Sequence, residues 1–437
     1  MKKKRAGLTL GSILTLCLTL AVTLGCIWAF GIIRAGRPDA AMDAGQIADF
    51  IGNALQGNEQ STQADTRVGT VMVTLPPAVA TPTAAPMLTP APGAEKQQYS
   101  FSLTIGGLMS FQSEISDTVY NKQEKTFDFR PVVAELPEKV WADMNLVMLP
   151  QTLNSADRKY DDYMAPAAAA DAVRTAGFND VLLGSEHILD RGAAGAEETV
   201  AALTSRGISC GGVTLGEARQ NRIVQLNGAR IAILSYTESV TAKGRNALGA
   251  QPELMRLYDE DMVRQDILNA RAQGVHCVIV CMYWGTEDQT SVRNDQKKTA
   301  KTLAEMGADV ILGFRPAAVL PIEFISVTGE NGVRRQALVA YSMGTLLSES
   351  RDAGAIAGML LHLNVTVNGA GSVRFTGVEY TPTYVWRQSV NGALQYRLVC
   401  SSDPAPEGMD QKQSGVMSRA LTRIRDAMKG CPAEERK

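Results

Sequence analysis

The sequence predicts an α/β fold with mixed sheets, displayed behind an N-terminal membrane anchor. Apolar strand-length runs alternate with helical stretches through the middle of the chain, which argues for an α/β core. Turn signals near Asn227-Gly228 and Asn368-Gly369 add antiparallel strands, so the sheet is not purely parallel. One uncharged run near the N-terminus is long enough to span a bilayer.

That run is Leu8 to Ile33, 26 residues without a charge. About 20 residues at about 1.5 Å rise cross the hydrocarbon core. Lys2, Lys3, Lys4 and Arg5 precede it, and only Arg34 and Arg37 follow closely. The basic excess therefore places residues 1–7 in the cytoplasm and the rest outside, as a single-pass protein of the cell membrane. A cleaved signal peptide is the competing reading, although its apolar region is normally about 7–15 residues. Leu24-Gly25-Cys26 raises a lipoprotein as a third. Residues 34–98 read as a disordered stalk: Ala40 to Leu55 has the apolar spacing of a juxtamembrane helix, and from about Gln60 to Gln98 the Thr, Pro and Ala content cannot bury a core.

The globular part is expected over residues 99–400. Ser100 to Met109 and Asn145 to Leu149 are strands. Ala167 to Ala176 is a helix ending at Gly177, and Val181 to Leu183 a strand. Glu197 to Ser205 is a helix, and Arg222 to Tyr236 a hairpin around Asn227-Gly228. Asp261 to Gln273 and Lys297 to Met306 are helices, each feeding a strand: Cys277 to Met282 and Val310 to Leu312. Ala337 to Tyr341, Met359 to Val367 and Val373 to Tyr380 finish a strand-rich end. Residues 401–437 form a tail with a basic amphipathic helix, Val416 to Met428, which either docks on the domain or meets a membrane surface or partner.

Charge is nearly balanced at −2 and no basic stripe runs through the globular part, so nucleic acid is not an expected partner. Seven cysteines in 437 residues do not make a disulfide scaffold. Cys277 and Cys281 share one side of a strand but lie too far apart to bridge. With three histidines, the chain is short of imidazole for a two-metal hydrolase. His276 and His362 read as strand-edge or core residues. No nucleophile elbow, phosphate loop or dinucleotide fingerprint occurs, so no cofactor is expected.

Three polar clusters follow apolar strands, where α/β sheets bind ligands. They are Gly184-Ser185-Glu186-His187 with Leu189-Asp190-Arg191-Gly192, then Tyr283-Trp284-Gly285-Thr286-Glu287-Asp288, then Gly313-Phe314-Arg315-Pro316-Ala317. These phrases, with Phe127-Asp128-Phe129, Ala142-Asp143, Gly307-Ala308-Asp309-Val310-Ile311-Leu312-Gly313, Pro321-Ile322-Glu323 and Ala340-Tyr341-Ser342-Met343-Gly344, stand in the order of one known family. The stretch from Ser102 to Leu363 resembles the CapA family, tied to poly-gamma-glutamate capsule synthesis and related to calcineurin-like metallophosphoesterases.

The resemblance implies a four-layer α/β/β/α metallophosphatase-like sandwich. It also implies metal ligands that are mostly missing. The family's Gly-Asp is Gly106-Gly107 here, its Asn-Leu-Glu is Met148-Leu149-Pro150, and its Asn-Asn-His is Ser185-Glu186-His187. Its His before Trp-Gly is Tyr283, its His-Pro-His is Arg315-Pro316-Ala317, and its Gly-Asn is Gly344-Thr345. No metal is therefore expected. His187, as proton donor, and Asp190, as loop anchor, are the candidate catalytic residues. Arg315, Tyr283, Glu186, Glu287 and Glu323 are the candidate ligand-binding residues, for an anionic polymer or a capsule-synthesis protein. Two readings stay open for Arg315: it binds an anion, or it pairs with Glu186 or Glu287 in an inactive cleft. An envelope hydrolase with a rearranged site is the alternative function.

Overall fold

The computed structural model describes residues 97–155, 159–216, 221–330 and 332–436. All of them fall in the C-terminal of the two units into which the chain divides, Thr81–Lys437. The expected membrane span and nearly all of the expected stalk lie outside the described residues. Among the described residues no helix is long and apolar enough to cross a membrane.

Among the described residues fifteen strands build two main sheets. In chain order they are β1 (Gln98–Met109), β2 (Met144–Met148), β3 (Asp180–Leu182), β4 (Ser209–Gly211) and β5 (Arg222–Leu226). Next come β6 (Ala229–Thr237), β7 (Cys277–Tyr283), β8 (Val310–Phe314), β9 (Val319–Thr328) and β10 (Arg334–Met343). The last are β11 (Thr345–Leu347), β12 (Ala357–Asn368), β13 (Val373–Val390), β14 (Ala393–Cys400) and β15 (Glu434–Glu435). The first sheet has the order β14-β13-β12-β1-β2-β3-β4, with β11 also on β1 and β15 on β13. The second has the order β9-β10-β8-β7-β6-β5. Strands β1 to β4 run parallel, as do β6, β7, β8 and β10. Antiparallel strands flank both parallel blocks, giving the mixed α/β fold.

The side-chain alternation of strands explains the layering. Along β7, Cys277, Ile279, Cys281 and Tyr283 enter a core shared with Leu103, Leu146 and Met148 of the first sheet. Val278, Val280 and Met282 face the other way, against helices Glu260–Ala272 and Asn294–Met306. A strand buried on both faces reads as a continuous apolar run. On the far side of the first sheet, Val147, Val181 and Leu183 pack on helices Ala169–Thr175 and Gly192–Thr204. The order is helix, sheet, sheet, helix. The cysteines of the described residues are all free.

The tail belongs to this body. Helix Gln411–Ala427 starts with a capping box between Asp410 and Gln413. Its Ala420, Leu421 and Ile424 join the core between the sheets, as does Met428. Cys431 Sγ accepts the Ile322 N–H of edge strand β9 at 3.4 Å. Of the two expectations for this helix, the structure has it docked on the domain.

Candidate functional site

The carboxyl ends of both parallel blocks meet at one end of the molecule. The chain itself links them there: β10 leaves the second sheet at Gly344 (φ 69°), and β11 pairs with β1 in the first. The loop after β3 brings Glu186, His187 and Asp190; the loop after β6 brings Ser239 and Thr241. Tyr283 closes β7 and Arg315 follows β8.

Arg315 is the centre of the cleft. Its Nη2 lies 2.6 Å from Glu186 Oε2, and each side chain is 22% exposed. Its Nη1 donates to the Gly285 carbonyl at 2.9 Å and to Ser239 Oγ at 3.4 Å. Its Cζ stands 5.8 Å from the centroid of the Tyr283 ring, a cation–π contact. Burial pushes the Tyr283 phenol well above its usual range, against the opposing pull of Arg315, so it stays neutral. Arg315 has φ 99°. A non-glycine residue there stores strain of about 1–3 kcal/mol, and such outliers gather at ligand sites.

A second set of contacts fixes His187. Its Nδ1 is 2.9 Å from Asp190 Oδ2. Asp190 Oδ1 accepts the hydroxyl of Thr241, which in turn accepts the Gly244 N–H at 3.1 Å as N-cap of helix Ala242–Ala250. A carboxylate accepts only, so Nδ1 donates to Asp190. The Tyr163 ring stacks on His187 with centroids 3.6 Å apart and planes 14° off parallel. Tyr163 is 48% exposed. Its phenol is pushed up by desolvation first, then by Glu287, Asp162, Glu186 and Asp190. Glu287 thus lies within electrostatic reach of the cleft, and its carbonyl accepts the Ala317 N–H at 2.9 Å.

Six of the seven sequence candidates therefore gather: Glu186, Arg315 and Tyr283 in contact, His187 and Asp190 beside them, and Glu287 at the rim. Glu323 does not join them. It accepts the Tyr341 hydroxyl, and Tyr341 packs on the helix-facing side of the second sheet. One residue of strand parity turns Glu323 away from the cleft. Tyr163, Ser239 and Thr241 were not read from the sequence. Thr241 carried a signal, an N-cap threonine ahead of a helix.

The remaining histidines are structural. His362 is 3% exposed, its ring nitrogens at hydrogen-bond distance from Thr104 and Thr381, and burial lowers its pKa to about 3. His276 Nδ1 accepts the Arg230 N–H at 2.9 Å.

A family model described as bacterial capsule synthesis protein PGA_cap matches residues 102–350, more than half of the 437 residues. The chain belongs to the PGA_cap family. Among curated relatives, the capsule biosynthesis protein CapA of Bacillus anthracis is 24% identical over 266 residues, 59% of this chain and 62% of that one. The PGA biosynthesis protein CapA of Bacillus subtilis is 24% identical over 212 residues, 47% of this chain and 53% of that one. The chain thus spans less than two thirds of either relative. Two solved structures overlap in part. The NAD nucleotidase NadN of Haemophilus influenzae aligns with TM-score 0.39 at 12% identity, over 76% of this chain and 61% of that one. The sulfate thiohydrolase SoxB of Thermus thermophilus aligns with TM-score 0.33 at 13% identity, over 64% and 43%.

The PGA_cap cleft of this chain does not suit the metals that the CapA resemblance implies. Gly107 stands where an aspartate ligand is implied, and a Cβ there would sit 2.1 Å from the Gly344 carbonyl oxygen. Thr345, in place of an asparagine, spends its hydroxyl on the Ala317 carbonyl at 3.2 Å. Arg315 brings a permanent cation where an imidazole is implied. Among the described residues no three His, Cys, Asp or Glu side chains converge to hold a metal ion.

Proposed function

We propose that this chain serves capsule synthesis at the outer face of the cell membrane, held there by residues 8–33. Its cleft binds an anionic polymer, or a capsule-synthesis partner presenting one, without metal-assisted hydrolysis. The observation that carries the reading is Arg315, a permanent cation at a position where the resemblance implies a metal ligand; its pairing with Glu186 is the inactive-cleft arrangement, which a bound anion has to displace. A fixed guanidinium supplies the positive charge that metals would otherwise bring to an anion.

Calorimetry of the full chain with a γ-linked polyglutamate fragment tests it. Saturable heat is expected with wild type, with affinity reduced about tenfold or more in Arg315→Ala, the loss of one charge-assisted contact. No heat with wild type, or equal heat with the variant, contradicts the reading.

One observation favours turnover instead. The Thr241–Asp190–His187 chain orients an imidazole as general acids are oriented. Under that second reading, His187→Ala abolishes a phosphodiesterase activity that the wild type shows; under the binding reading neither protein has one.

A further inference from the structure

The turn that follows β7 rests on a buried amide pair. Gln289 and Gln296 are 8% and 1% exposed. Gln289 Nε2 donates to Gln296 Oε1 at 2.5 Å and to the Ser291 carbonyl at 2.7 Å. Its Oε1 accepts the Thr286 N–H at 3.3 Å. Gln296 Oε1 also accepts the Arg293 N–H at 3.1 Å, at the start of helix Asn294–Met306. Buried amides cost free energy unless they are hydrogen-bonded, so these bonds hold the pair in one arrangement.

The pair bears directly on Gly285. A Cβ on that residue would sit 2.3 Å from Gln289 Oε1 and 2.8 Å from Gln296 Nε2. Gly285, at φ 76°, is the residue whose carbonyl accepts Arg315 Nη1 at 2.9 Å. In the same turn the Glu287 carbonyl accepts the Ala317 N–H at 2.9 Å. The turn thus holds both the Arg315 side chain and the loop that carries it, and the amides hold the turn.

We propose that the Gln289–Gln296 pair positions Arg315: it fixes the Gly285 carbonyl, and that carbonyl aims the guanidinium. Both are positioning residues. Their part in binding rests on the reading of the cleft as an anion site.

The two glutamines differ in a way that supplies the test. Gln289 Nε2 donates two bonds, whereas Gln296 Nε2 has no partner. Gln289→Glu therefore loses both donated bonds and sets a carboxylate against Gln296 Oε1. Gln296→Glu keeps both accepted bonds, and its charge lies at a helix N-terminus, where it is favoured. The same change of amide to carboxylate should have opposite results.

NMR of the full chain, with ¹⁵N in the arginine Nη groups, reads the outcome without a ligand. The Arg315 signals are assigned by their loss in Arg315→Lys. Wild type should show separate Arg315 Nη signals, the mark of a guanidinium that does not rotate freely. They should merge in Gln289→Glu and stay separate in Gln296→Glu. Arg271, bonded to the Val275, His276 and Gly307 carbonyls and to Asp309, is the control and should not change. Separate Arg315 signals in Gln289→Glu overturn the proposal. So do merged ones in wild type or Gln296→Glu, or Arg271 signals that change together with those of Arg315. Calorimetry with the γ-linked polyglutamate fragment adds the link to binding, with affinity about tenfold weaker in Gln289→Glu. Unchanged affinity there removes the positioning role. No heat with wild type contradicts the anion reading alone, and the spectra still decide the positioning.

Discussion

Gly107 and His362 show how single residues commit this chain. A Cβ at Gly107 would fall 2.1 Å from the Gly344 carbonyl oxygen, a backbone atom that cannot rotate away. Gly107→Ala should therefore cost about 3 kcal/mol, the upper part of the usual overpacking range, read from urea midpoints. Gly107→Asp should disrupt the corner between β1 and β11 before it restores any metal affinity. His362 has its pKa lowered to about 3 from 6.5 by burial. The unfolded chain then binds the extra proton between those values, so stability falls as pH drops through that window. His362→Gln should flatten the dependence of the unfolding midpoint on pH between about 6.5 and 3, relative to wild type. An unchanged slope would mean that other groups carry it.

At the scale of elements, the strands and turns with strong local chemistry were legible. Asn227 and Gly228 both have positive φ, 48° and 88°, as a two-residue hairpin turn with that right-handed twist requires. The run Cys277 to Met282 was readable because burial on both faces leaves no polar residue in it. The same Asn-Gly signal at Asn391-Gly392 joins β13 to β14 and was passed over. Edge strand β9 was missed because its outer residues are partly exposed and its pattern is irregular. The site was legible only as clusters at strand ends. Which clusters meet depends on how two sheets pack, and that placed Glu323 on the wrong face. The C-terminal helix left two options, and its Leu421, Ile424 and Met428 lie in the core. Leu421→Ala and Ile424→Ala should each cost about 2–5 kcal/mol in chemical denaturation. Variants as stable as wild type would show that the helix is a detachable element.

On the scale of the whole molecule, two parallel blocks direct their carboxyl ends at one cleft, and the chain fills it with an ion pair where the CapA resemblance implies metals. Layer order and strand direction carry the frame; the choice of Gly107, Glu186, Tyr283, Arg315 and Ala317 sets the chemistry. The most direct measurement is elemental analysis of the purified full chain after incubation with Mn²⁺ and Zn²⁺, paired with a phosphodiesterase assay. The account predicts well under one tightly held metal per chain and no metal-stimulated turnover. About two metals per chain, as in binuclear hydrolases, together with turnover, would contradict it.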